Sequence, residues 1–308
     1  MGKSATREAY GKALAEFGDN ERIVVLDADL SKSTKTYTFK EKFPERHFNM
    51  GIAEGNMAGV AAGLASTGKI VFASSFAVFA TGRAFEQIRN SICYPKMNVK
   101  IAATHSGVTV GEDGATHQSI VDLSIMRSLP NMTVLSPADA AETRFCVKTA
   151  IENDGPFYIR LGRLGVPDVY SEDEEFTFGK GKIIRDYGDD VTVLATGYMV
   201  QQSLEAVEIL REQGINAKLV DICTIKPIDK ELLIECAKRT GKIVTVEEHS
   251  TIGGLGSAVA EVLSEEYPCK LKRIGMQDEF GKSGTPADIL EFFGLNGKHI
   301  AEKIAEFV

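Results

Sequence analysis

The sequence predicts an α/β fold made of two parallel-sheet α/β domains, residues 1–180 and 181–308. Apolar runs rich in Val and Ile alternate with stretches of helical period along the chain. Those runs are continuously apolar, as strands covered on both faces by crossover helices tend to be. A turn-rich, acidic interval interrupts the rhythm near residue 180, and the alternation then starts again.

In chain order, a helical pattern over 4–18 (SATREAYGKALAEFG) precedes the strand run 22–30 (RIVVLDADL). A second helix over 53–68 (AEGNMAGVAAGLASTG) leads to the strand 69–75 (KIVFASS), and a third over 82–95 (GRAFEQIRNSICYP) to the strand 98–105 (NVKIAATH). The strand run 132–137 (MTVLSP), the helix 138–155 (ADAAETRFCVKTAIENDG) and the strand 157–161 (FYIRL) complete this unit. Residues 162–190, rich in Gly, acidic and turn residues, have no helical period. Beyond them come strands at 190–197, 216–222, 242–249 and 269–276, separated by helices at 198–214, 229–241 and 254–267.

Composition narrows the function. The 308 residues are 44% hydrophobic and 25% charged, an ordinary globular balance, and the net charge of -8 argues against a nucleic-acid partner. Anionic substrates would have to be met by locally placed Arg or His. Five scattered cysteines form no C-x-x-C pair, which fits a reducing cytoplasm better than a disulfide framework. No apolar signal region opens the chain, and its uncharged stretches are too short to span a bilayer, so neither export nor a membrane is expected. The start matches the myristoylation pattern M-G-x-x-x-S/T, but so short a pattern arises often by chance.

Two segments invite a chemical reading. GGLGSAVAEV, 253–262, follows a strand and opens a helix, but Val259 stands where a dinucleotide fingerprint has its third glycine, so it reads as a tight turn. The loop THSGVTVGEDGATHQ, 104–118, gathers His105, Glu112, Asp113 and His117 after a strand, where parallel sheets form sites. Its spacing matches no familiar metal pattern, and its residue types alone leave metal ligation and a plain polar turn both open.

Six segments, NMGIAEGNM, THSGVTVGEDGATHQ, SPADAAETR, IRLGRLGVP, VLATGYMV and CTIKPID, resemble in order and spacing the second half of transketolase. The resemblance covers essentially the whole chain. It implies a thiamine diphosphate pyrimidine-binding domain followed by the transketolase C-terminal domain. The sequence has no G-D-G followed by Asn, the family's motif for Mg²⁺ and the diphosphate. The resemblance therefore implies the C-terminal subunit of a split transketolase. Such a subunit moves a two-carbon ketol unit from a ketose phosphate to an aldose phosphate. It shares thiamine diphosphate with an N-terminal partner subunit, which binds Mg²⁺, in an α2β2 assembly.

The family's site carries over residue by residue. Glu54 matches the glutamate that hydrogen-bonds N1′ of the cofactor aminopyrimidine, where an apolar, water-poor niche would let it share a proton with the ring nitrogen. Taken locally, Glu54 is a helix-start charge favoured by the macrodipole. Phe76 and Phe79 match the aromatic platform for that ring, although Gly82 stands where the family often has a third aromatic. Ile52 is expected to pack on the cofactor and Asp29 to lie near it. Arg7, Ser33, His105 and Arg163 match positions that hold the substrate phosphate, a task that suits the planar fork of arginine. Asp113 and His117 match residues that contact the donor hydroxyl and the carbonyl or oxyanion region, His117 with an acid/base or hydrogen-bonding role.

The alternatives are another thiamine diphosphate enzyme subunit, of deoxyxylulose-phosphate synthase or 2-oxoacid dehydrogenase β type, or a non-catalytic regulatory subunit. His105 argues against the first, the phosphate set against the second, and the joint presence of Glu54, Asp113 and His117 against the third.

Overall fold

A computed structural model describes residues 3–308, so the first two residues of the myristoylation pattern lie outside the described residues. Seven strands form one sheet in the order Thr224–Lys226, Thr133–Leu135, Phe157–Arg160, Val99–Ala103, Ile70–Ser74, Ile23–Asp27 and His47–Asn49. Five form a second, in the order Lys270–Met276, Lys242–Ser250, Val191–Ala195, Ala217–Asp221 and Lys182–Asp186.

The sheets are mixed and mostly parallel, which qualifies the all-parallel expectation. Thr224–Lys226 runs antiparallel on Thr133–Leu135, and Lys182–Asp186 antiparallel on Ala217–Asp221. The first of these edge strands comes from the second half of the chain and joins the sheet of the first. Its three residues lie far in sequence from their partner, so local patterning does not reveal the pairing.

Central strands of the first sheet are buried along their whole length and are apolar but for Asp27, Ser74 and Lys100, whose Nζ donates to the Asn153 and Gly155 carbonyls, each at 2.8 Å. Leu26, Ala73 and Ile101 face the helix Glu54–Ser66 through Met57, Ala58 and Ala61. Val25, Phe72 and Ala102 point the other way, onto Tyr10 and Leu14 of the helix Thr6–Glu16 and onto Cys146 and Val147 of the helix Ala140–Glu152.

Some elements depart from the expected pattern. The first helix starts at Thr6, because Lys3–Ala5 pairs antiparallel with Gly165–Pro167. The helix expected over 82–95 begins earlier and breaks at Ala84, giving Ala77–Arg83, Phe85–Gln87 and a π-helical stretch, Ile88–Cys93. Two further helices, Pro286–Phe293 and Gly297–Ala305, have side-chain caps at Thr285 and Asn296. No helix among the described residues is long and apolar enough to cross a membrane.

Buried carboxyls join the two halves of the chain. Asp221 accepts a hydrogen bond from Tyr170 Oη at 2.8 Å. Burial raises its pKa to about 7, and burial together with the Asp221 charge raises that of Glu142. The Asp221 carboxyl therefore holds its proton more tightly in the folded chain than in the unfolded one. Because the folded pKa lies above the usual 3.8, this contribution to stability is present below about pH 4 and lost as pH rises through about 7. Asp221→Asn should therefore flatten the fall in Tm between pH 5 and pH 8; a variant profile parallel to wild type would refute the assignment.

Candidate active site

The expected site residues arise from loops at the carboxyl ends of the first sheet's strands, where a parallel sheet opens a crevice. Asp29 and Ser33 follow Ile23–Asp27, Ile52 and Glu54 follow His47–Asn49, and Phe76 and Phe79 follow Ile70–Ser74. The loop with His105, Asp113 and His117 follows Val99–Ala103, and Arg163 follows Phe157–Arg160. Arg7 arrives differently, on the first turn of the helix Thr6–Glu16. The hairpin of Lys3–Ala5 with Gly165–Pro167 holds that helix start to the edge, and Gly162 N–H donates to Thr6 Oγ1 at 2.7 Å.

Glu54 opens the helix Glu54–Ser66 and is 3% exposed. A carboxylate there meets the positive end of the helix dipole. It also meets Arg83, whose Nη1 donates to its two oxygens at 3.1 and 3.3 Å. The expected apolar niche is thus entered by a guanidinium, which sequence reasoning missed. Arg83 ends the helix Ala77–Arg83, one turn beyond Phe79, and its guanidinium carbon stands 4.1 Å from the Phe79 centroid. The i to i+4 spacing in FATGR is the signal for that stack. Gln87, also missed, has a buried Oε1 with no partner and lies 3.4 Å from where a Cβ on Gly55 would stand.

Phe76 and Phe79 lie nearly parallel, 5.9 Å apart at 19°. His105 stacks on Phe76 at 3.8 Å, and His117 meets Phe79 edge-on at 5.3 Å. His117 Nδ1 is 2.9 Å from Thr116 Oγ1.

His105 adopts a positive φ of 58° and is buried. Its Nε2 lies 3.4 Å from Arg7 Nη1 and its Nδ1 2.8 Å from Thr104 Oγ1. A guanidinium only donates, so Nε2 accepts and Nδ1 carries the proton. Burial, then the charges of Arg7, Arg163 and His117, hold its pKa down to about 3, and the ring is neutral near pH 7.

Arg7 Nη1 also donates to the Ser33 carbonyl at 3.0 Å, while its buried Nε has no partner. Burial lowers the Arg7 pKa, and the Arg163 charge adds to this against the pull of Glu8. Arg163 donates to the Val110 carbonyl and, at 3.2 Å, to Glu112.

The structure thus brings Arg7, Ser33, His105, Phe76, Phe79 and His117 into one chain of contacts, joined through Arg83 to Glu54, with Arg163 within electrostatic reach. Asp29, Ile52 and Asp113 stand outside that chain of contacts and are exposed. Asp29 exchanges hydrogen bonds with Asn49, at 3.0 Å from its N–H and 2.7 Å to its carboxylate, and Ile52 is 76% exposed.

The other chemical readings of the sequence resolve locally. In the loop 104–118, Glu112 pairs with Arg163 and His105 stacks on Phe76, and no group of three or more His, Cys, Asp or Glu among the described residues is arranged to hold a metal. At GGLG, the helix Leu255–Glu266 takes its anion from its own chain: Glu247 accepts from the Leu255 and Gly256 N–H groups, each at 2.7 Å. That is a tight turn with an internal cap.

Comparison with known proteins bears on the whole chain. Residues 2–168 match the family model "Transketolase, pyrimidine binding domain" and residues 179–300 match "Transketolase, C-terminal domain". A protein named putative transketolase C-terminal section, from Methanocaldococcus jannaschii, is 54% identical over 304 residues, 97% of this chain and 95% of that one. The 6-deoxy-6-sulfo-D-fructose transketolase subunit of a Clostridium species is 44% identical over 97% of this chain and 93% of its own. A solved structure described as "Split gene transketolase, inactive beta4 tetramer" superposes with a TM-score of 0.91 at 60% identity, covering 98% of this chain and 97% of that one. The chain belongs to the transketolase family, in which it matches the pyrimidine-binding and C-terminal domains.

Proposed function

We propose that this chain is the C-terminal subunit of a split transketolase, transferring a two-carbon ketol unit from a ketose phosphate to an aldose phosphate. In this reading it shares thiamine diphosphate with an N-terminal subunit in an α2β2 assembly, and that subunit holds Mg²⁺ and the diphosphate. The observation that carries the proposal is the continuous arrangement of a buried carboxylate, a parallel pair of phenylalanine rings and a guanidinium beside a neutral histidine.

These residues fit an aminopyrimidine. Phe76 and Phe79 offer a flat apolar platform, Glu54 a carboxylate at its border, and Gln87 Oε1 an acceptor in need of a donor. When bound, thiamine diphosphate supplies the carbanion chemistry. The protein groups orient and move protons around it. Glu54 would offer a carboxylate oxygen to a protonated nitrogen of the bound ring. Arg83 is half exposed, so its guanidinium has solvent to turn into and would leave Glu54 and Phe79 when the ring binds. His117, lying edge-on to Phe79, would donate a proton to a substrate oxygen or take one from it. Arg7 and Arg163 bind the anionic end of the sugar, and the partnerless Arg7 Nε awaits an acceptor. His105 holds the Arg7 guanidinium as an uncharged acceptor, so it serves that anion through Arg7 and contributes no charge of its own.

A partner requirement agrees with the related tetramer of β chains alone, which is described as inactive. The exposed Ile52, beside Glu54 at the crevice, suits a surface that another chain covers. The test is co-expression with an N-terminal subunit that carries the G-D-G motif. Ketol transfer should require both chains, thiamine diphosphate and Mg²⁺, and phosphorylated ketoses should be used in preference to uncharged ones. Activity of this chain alone, or a stable complex without ketol transfer, would overturn the proposal. A sulfonated ketose belongs among the substrates tried, since a guanidinium pair also fits a sulfonate and a 44% identical relative is named for one.

A further inference from the structure

The second sheet sends a side chain into the loop that holds both site histidines. Parallel register along Lys242–Ser250 is broken between Val246 and Ser250, and the residues in between point alternately to opposite sides. Glu247 and His249 face one way, with His249 Nδ1 3.6 Å from Glu247 Oε2, and Glu247 caps the helix Leu255–Glu266. Glu248 faces the other way, into the loop 104–118. Its Oε2 accepts from Thr109 N–H at 3.2 Å and from Thr109 Oγ1 at 2.8 Å. Gly107, at φ +76°, makes way for it: a Cβ there would lie 2.1 Å from Glu248 Cδ and Oε2.

The other limb of the loop is held from the same half of the chain. Gln118 Nε2 donates to the Lys282 carbonyl at 2.8 Å and back to the Val108 carbonyl at 3.0 Å. Ser250 N–H reaches the Ile120 carbonyl at 2.8 Å. Arg160 Nη2 donates to the Glu248 carbonyl at 3.1 Å, which fixes the strand end that carries this glutamate. The loop is thus clamped at Thr109, four residues after His105, and at Gln118, next to His117.

We propose that Glu248 is a positioning residue for ketol transfer: the C-terminal half of the chain uses it to hold the loop 104–118 so that His105 and His117 meet the Phe76 and Phe79 rings in register. This rests on the functional reading above. The clamp acts first on the histidines: Glu54 and Phe79 belong to the helices Glu54–Ser66 and Ala77–Arg83, with Phe76 just before the second, and these follow other strands, so its loss should disturb the histidines more than the rings they touch. Misplacement by about an ångström is enough to cost roughly 100-fold in rate.

The test compares wild type with Glu248→Ala, Glu248→Gln and Thr109→Val, each reconstituted with the N-terminal subunit. For Glu248→Ala, kcat should fall by ~10- to 100-fold while KM for thiamine diphosphate stays within about twofold. Glu248→Gln keeps an acceptor for Thr109 and should restore most of the loss; Thr109→Val should show a smaller one. Hydrogen exchange should quicken at the amides of 104–118 in Glu248→Ala and stay as in wild type over the helices Glu54–Ser66 and Ala77–Arg83. Unchanged kcat, or equal losses in kcat, cofactor KM and Tm, would overturn the proposal, as would unchanged exchange in the loop. If the wild-type complex transfers no ketol unit, the functional reading fails, and the clamp itself stands or falls on the exchange result.

Discussion

Glu54→Gln, assayed in the complex with the N-terminal subunit, is expected to lower kcat for ketol transfer by roughly 10²- to 10⁴-fold, the range that a positioned proton-transfer group contributes. Glutamine keeps the length of the side chain and its place at the start of the helix Glu54–Ser66, so the fold should persist. It loses the negative charge that Arg83 meets at 3.1 Å and that a protonated ring nitrogen would need. Arg83 lies about half exposed, so its freed guanidinium can turn to water at little cost. The check is a steady-state assay beside a thermal melt. Turnover within about threefold of wild type would remove Glu54 from cofactor activation, and an equal loss in Tm and activity would assign it to the fold. Arg83→Gln is the companion: in the proposed site it leaves Glu54 free for the cofactor, so its loss in kcat should be much the smaller of the two.

How much of this was legible in the sequence depends on the range over which each contact acts. Ile23–Asp27 and Ile70–Ser74 announce themselves because a strand buried on both faces is apolar nearly throughout, here up to the closing Asp27 and Ser74. Thr224–Lys226 does not, since three residues carry no period and its partner Thr133–Leu135 lies far away in the chain. Pro286–Phe293 was legible in principle, through Thr285 and the proline that follows it, but a short helix outside the alternating rhythm is easily passed over.

The candidate site divides in the same way. Residue types and order single out Glu54, Phe76, Phe79 and the histidine loop, because chemistry there needs those side chains. What they touch is a tertiary matter. Glu54 and Arg83 are 29 residues apart, and no local pattern says that the carboxylate ends against that guanidinium. His105 on sequence grounds is a basic residue at a phosphate position; only its burial against Arg7 and Phe76 makes it a neutral acceptor. Glu248 reads as one of two adjacent acidic residues in a strand, and its bond to Thr109 spans 139 positions.

The strongest stability effect is expected at Arg160, where the two halves of the chain meet. The residue is 4% exposed, and its guanidinium donates to Asp122 Oδ2 at 2.8 Å, with Glu248 Oε1 at 3.9 Å from Nη1. Tyr158 Oη donates to the same Asp122 oxygen at 2.6 Å. Burial alone would push the Asp122 carboxyl upward, but the charges of Arg160 and His249 and the hydrogen bonds from Arg160 and Tyr158 together outweigh it and hold the carboxyl below its ordinary range. Arg160→Met fills similar volume and leaves two buried carboxylates without their cation, which should cost about 3–5 kcal/mol. For a chain of this size that is a fall in Tm of ~10 °C. The penalty should depend on pH in a defined direction. Without Arg160 both carboxyls take up protons more readily, so the loss shrinks as pH falls toward 5 and is largest above pH 7. A Tm lowered by less than about 2 °C at pH 7, or a loss that grows on acidification, would show that the guanidinium does not hold this junction together. Because Arg160 also anchors the Glu248 carbonyl at 3.1 Å, the same substitution should loosen the loop 104–118, linking the buried ion cluster to the geometry of the histidines.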